Sequence, residues 1–122
     1  MKNESFISNE LKNKIILKET LTNEEIDIFF KYVKYKIQKI MNYRNRVDEN
    51  LSKEYTALGI EILFSHNLEA KPKFINNHFY CTLQLNDKKY LCDFIDEKYN
   101  YLLLTKETQE EYEKYIKENY HE

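Results

Sequence analysis

The chain has 122 residues, of which 42% are hydrophobic and 33% charged, with a formal net charge of −2. That length suits one domain with one core, and that balance excludes a disordered chain. No apolar run is long enough for a bilayer span, and the slight acidity excludes whole-molecule attraction to nucleic acid. The N-terminal stretch MKNESFISNELKNK has no apolar core region and no small-residue cleavage site, so a cytoplasmic setting is expected. Cys81 and Cys92, both in apolar segments, then read as reduced core residues.

Residues 8–18 are expected to form a short helix with Leu11, Ile15 and Ile16 inward and Ser8 near its start. Thr22 and Glu25 have capping-box spacing, and Leu21 and Ile26 fit the accompanying hydrophobic staple. Ile26, Phe29, Phe30, Val33, Ile37, Ile40 and Met41 continue at helical spacing to about residue 46. A third helix is expected from about Leu51 to His66, apolar nearly all round in YTALGIEILF, with Asn67 ending it in the left-handed conformation. Gly59 inside it costs ~1 kcal/mol relative to Ala, which implies a neighbour approaching its backbone closely. Pro72 fits a strand start or edge. Residues 78–85 and 89–95 alternate as strands around a turn at Asn86-Asp87-Lys88, and 99–104 read as a third strand. Thr108 and Glu111 suggest a second capping box, opening a final helix with Tyr112, Tyr115, Ile116 and Tyr120 inward. The order ααα-βββ-α gives an α+β fold: one domain over residues 1–122, with N-terminal helices packed on a three-stranded antiparallel meander.

The hairpin carries a chemical constellation. Placing Phe79, Cys81, Leu83 and Leu85 on the same face as Tyr90, Cys92 and Phe94 requires opposed residues to sum to an odd number. That puts His78, Tyr80, Thr82 and Asp93 together on the other face. A two-residue turn at Asn86-Asp87 sets Asp93 opposite Tyr80 and diagonal to His78. A carboxylate beside an imidazole can fix its tautomer and stabilise its protonated form, the base-and-orienter half of a catalytic triad. The plain alternative is a polar cross-strand pair on a solvated face.

The stretches SKEYTALGIEILFSHNLEAKPKF and NHFYCTLQLNDKKYLCDF resemble the core of transglutaminase-like proteins and related papain-like cysteine peptidases. The resemblance covers residues 51–93, about a third of the chain. It implies a nucleophile at the start of a buried helix, a His at the head of one strand and an Asp at the end of the next. His78 and Asp93 match the last two. The family's cysteine falls on Ser52, with Tyr55 the nearest competing position. The resemblance therefore implies a degenerate, catalytically inactive relative. The enzyme alternative is a hydrolase or acyl transferase with Ser52 as nucleophile, His78 as base and Asp93 as orienter. Ser52 also fits a helix cap or first-turn position after Asp48-Glu49-Asn50.

Cys81, Cys92, His66 and His78 lack zinc-ligand spacing, so no metal site and no cofactor are expected. A chain with one glycine cannot build a glycine-rich phosphate loop. From Lys31 to Val47 six basic residues (Lys31, Lys34, Lys36, Lys39, Arg44, Arg46) occur with no acidic one, among Tyr32, Tyr35 and Tyr43. This run is either a nucleic-acid patch or a solvated helix face, with the face favoured. Ile28, Tyr32 and Tyr35, with Lys31 and Lys39, form a second stripe that suits a protein partner, or else tyrosines at the edge of the core. The leading expectation is a protein-binding immunity, anti-defence or regulatory factor. The hydrolase comes second and nucleic-acid binding through residues 31–46 third.

Overall fold

The computed structural model describes residues 6–44 and 51–120, with Arg44 described by its backbone only. The elements run α1 (Asn9–Ile16), α2 (Asn23–Arg44), α3 (Leu51–Phe64), β1 (Lys71–Ile75), β2 (His78–Leu85), β3 (Lys88–Cys92), β4 (Leu102–Leu103) and α4 (Lys106–Asn119). The fold is α+β with a four-stranded antiparallel sheet in the order β1-β2-β3-β4.

Local chemistry explains most boundaries. The Ser8 hydroxyl caps α1 by accepting the Leu11 amide at 3.1 Å. The amides of Thr22 and Glu25 each donate to the other residue's side chain, at 2.9 and 3.1 Å, so the expected capping box opens α2. Past α3, Asn67 has φ of 65°, and the Leu68 and Asn67 amides donate to the carbonyls of Leu63 and Phe64. Those two bonds satisfy carbonyls that a helix end otherwise orphans. Both hairpins turn on pairs with positive φ, Asn76-Asn77 and Asn86-Asp87. Such two-residue turns match the right-handed twist of the strands.

Three expectations are corrected. The meander has a further strand, β1, paired to β2 through Asn76-Asn77. The stretch 99–104 narrows to Leu102–Leu103, because residues 93–99 are folded into a loop closed on Asp96. The C-terminal helix begins earlier than Thr108: Thr105 is its cap, and Thr108 completes the box that Glu111 was expected to complete.

The sheet separates two apolar clusters. On one face Cys81, Leu83, Leu85, Tyr90, Cys92 and Phe94 pack with Phe29, Phe30, Val33 and Ile37 of α2 and with Leu58 and Leu63 of α3. On the other, Tyr80 and Leu91 pack with Tyr99 and with Tyr112 and Ile116 of α4. Gly59 explains itself within the first cluster. A Cβ there would lie 2.4 Å from Cε2 of Phe94, a fully buried ring. Absence of a side chain lets α3 seat directly on that ring.

Candidate functional site

The strand register brings the expected pair together. Leu85 faces Lys88 across the Asn86-Asp87 turn, and the ladder continues to Cys81 facing Cys92. Asp93, one residue past β3, therefore falls beside Tyr80 and diagonal to His78. The His78 imidazole donates from Nε2 to Oδ2 of Asp93 at 2.7 Å. The Tyr112 hydroxyl of α4 donates to the same oxygen at 2.7 Å. Asp93 Oδ1 is buried without a hydrogen-bond partner among the described residues.

Ser52, in the first turn of α3, reaches the same strand. Its hydroxyl oxygen accepts the Phe79 amide at 2.8 Å, one residue from His78. Ser52 thus meets the backbone of the strand that carries His78, with its hydroxyl oxygen taken up by the Phe79 amide.

The face is not solvated. His78, Asp93 and Ser52 are 4%, 0% and 5% exposed. α4 covers the pair, and the Tyr120 ring lies over the imidazole with centroids 4.0 Å apart. Sequence periodicity places His78 and Asp93 on one face; it does not place α4 above them.

A second carboxylate, absent from the sequence reading, completes the arrangement. Asp96 Oδ1 accepts the amides of Lys98 and Tyr99, closing the loop after β3. Its Oδ2 accepts the hydroxyls of Tyr115 and Tyr120, each at 2.8 Å. The available signal was an Asp two residues before Lys98 in a turn-like stretch, with tyrosines repeating along one helix face. Burial first, then the Asp93 charge, pushes the Tyr112 phenol far above its usual range. The hydrogen bond to Asp96 is the leading cause that takes Tyr115 to about 12. Burial ahead of that same hydrogen bond raises Tyr120 well above the ordinary phenol value. Three phenols thus stay protonated and serve as donors to two buried carboxylates.

The stripe on α2 divides. Ile28 and Tyr32 are half-buried against the core, and Tyr32 meets the His66 ring edge-on at 5.9 Å. Tyr35 is half-buried with Lys39 over its ring at 5.9 Å. Lys31 pairs with Asp27 at 3.2 Å and Lys34 approaches Glu97 at 3.9 Å, so two cations of the basic run already face carboxylates. Arg46 and Asp48-Glu49-Asn50 lie outside the described residues. Further along α2, Tyr43 is 90% exposed and borders an open depression of about 660 Å³ with Lys36, Lys39, Ile40 and Asn42.

Among the described residues, no group of three or more His, Cys, Asp or Glu side chains is placed to hold a metal ion. No helix among them is long and apolar enough to cross a membrane. No family model, curated protein or solved structure matches this chain.

Proposed function

We propose that this chain is a non-catalytic protein-binding domain on a degenerate transglutaminase-like scaffold. Its imidazole–carboxylate pair serves to pin α4 to the sheet. The observation that carries this reading is the closure of the pair: the His78 ring lies beneath Tyr120, Asp93 is fully buried, and the Tyr112 hydroxyl occupies the carboxylate oxygen that orients the imidazole. A general base needs its proton donor within about 3 Å. Admitting a substrate here would mean lifting the end of α4. The half of α2 that carries Tyr35, Lys36, Lys39, Ile40 and Tyr43 offers the contact surface. Flat rings interleaved with lysines suit a partner whose surface combines apolar and acidic groups.

The test compares wild type with Tyr43→Ala and Lys39→Glu in capture from the native host lysate. A stoichiometric protein partner retained by wild type and lost by both variants is the expected result. Absence of any partner, together with measurable hydrolase activity, overturns the reading. The hydrolase reading has one observation in its favour, the convergence of Ser52 and Asp93 on the His78 end of β2. It predicts covalent labelling of Ser52 by a serine-directed phosphonate, abolished in His78→Ala. The α4-pin reading predicts no labelling.

A further inference from the structure

The sheet face under α4 is only half covered. Lys71 and Lys73 of β1 project from the same face as Thr82 and Tyr80, their partners on β2. Lys89 of β3, facing Gln84, joins them on that face. α4 packs over the Tyr80–Leu91 end. The other end is an open cavity of about 640 Å³, walled by these three lysines and by Lys18, with Thr82, Gln84 and Gln109 contributing neutral polar groups. Glu69 is the one acidic residue in its lining.

From this geometry we infer that the cavity binds a small polyphosphate, a site separate from the α2 surface and independent of the protein-binding reading. The charge distribution is the first support. Four lysines and one glutamate line a single concavity in a chain whose formal net charge is −2. A cleft lined by one sign of charge focuses the field and concentrates counter-ions. The second support is that Lys71, Lys73 and Lys89 make no ion pair with any described residue. Lys18 is fixed in place by donating to the Asn67 carbonyl.

Edge protection does not account for the whole set. Lysines beside a proline on an edge strand discourage strand-to-strand association, and β1 has both. Lys89, however, stands on an interior strand, and Lys18 follows α1.

Spacing selects the ligand. Lysines two residues apart on a strand are about 7 Å apart, and β1 and β3 are about 10 Å apart across β2. From roots that far apart, flexible lysine stems can close on two or three linked phosphates from different sides. A cavity of this size is of the order that holds a small ligand rather than a macromolecular surface. Tyr80 is the only aromatic residue in the lining, and it is 4% exposed with its ring against Tyr112. Bases of a single strand would find no stacking platform there.

The test is titration calorimetry of the full chain with inorganic tripolyphosphate at low salt. The expected result is saturable one-to-one binding that weakens steeply with added salt. Lys73→Gln and Lys89→Gln should each weaken it by about tenfold, the loss of one charge-assisted contact. Lys12→Gln, on the exposed side of α1, should leave it unchanged, and circular dichroism should show all three variants folded. No binding at low salt overturns the inference, as does binding that Lys73→Gln and Lys89→Gln leave unchanged. Tighter binding of a short single-stranded oligonucleotide or of an oligoglutamate peptide to the same lysines also overturns it, in favour of a polymer ligand.

Discussion

Replacing Asp93 with Ala removes the acceptor for two buried donors at once. The His78 Nε2–H and the Tyr112 hydroxyl both donate to Oδ2 at 2.7 Å, and Tyr112 and Asp93 are fully buried while His78 is 4% exposed. A hydrogen bond to a charged group contributes about 1.5–3 kcal/mol, and each donor stranded without a partner adds a desolvation penalty. Losing both bonds to the one carboxylate oxygen together therefore costs about 3–6 kcal/mol. That is a large fraction of the roughly 5–15 kcal/mol that holds a domain folded. With a urea slope of about 2 kcal/mol/M, the unfolding midpoint should drop by about 2 M. Urea titration followed by circular dichroism measures it. Should Asp93→Ala fail to fold, Tyr112→Phe deletes one of the two bonds and should lower stability by about 1.5–3 kcal/mol. A midpoint within about 0.5 M of wild type for both variants would refute the assignment of this cluster as the pin of α4. A triad that merely orients catalysis would instead lose activity with stability kept.

Gly59→Ala sets helix propensity against packing. Propensity favours Ala by about 1 kcal/mol, whereas a Cβ 2.4 Å from Phe94 overpacks a buried ring at about 1–3 kcal/mol. Net destabilisation is expected in urea titration, and the sign should reverse in a Phe94→Leu background. Alkaline pH should unfold the protein. Tyr101, raised chiefly by burial, and Tyr115, raised chiefly by its bond to Asp96, both reach about 12 in the folded state. Because the unfolded phenol ionises near about 10, the native state holds more protons above that point. Stability is then complete below about pH 10 and falls as pH climbs toward the folded values. Urea midpoints across that window, with phenolate absorbance as the second readout, check it, and a midpoint independent of pH there would contradict it. Cys81 and Cys92 face each other fully buried, and burial followed by the neighbouring thiol holds Cys92 well above its ordinary value. Neither should react with an aromatic disulfide reagent until denaturant is added, as a thiol titration will show.

Much of this was legible in local chemistry. Thr22 and Glu25 marked the start of α2, Asn67 the end of α3, and Asn86-Asp87 the register that joins His78 to Asp93. Strand β1 was less legible. Pro72 marks a strand start or edge, and it sits in the edge strand β1, but Lys71 and Lys73 give no apolar alternation and the hairpin turns on Asn76-Asn77, which carries no glycine. The Thr105–Thr108 box was hidden because threonine replaces the usual Glu or Gln, while Thr108 and Glu111 matched the common spacing one turn later.

Which side chains share a face was settled along the chain, because alternation of period two and a turn of defined length need only neighbouring residues. That is how His78, Tyr80, Thr82 and Asp93 were grouped, and how α2 was oriented to the core. What covers each face was decided in three dimensions. Tyr120 over His78, Asp96 between two phenols, and four lysines around an open half-face each depend on where α4 or the α1–α2 side comes to rest. Periodicity states that a surface will be buried or wet only on average. The element that buries it, and the charges left uncovered beside it, follow from packing between residues far apart in the chain.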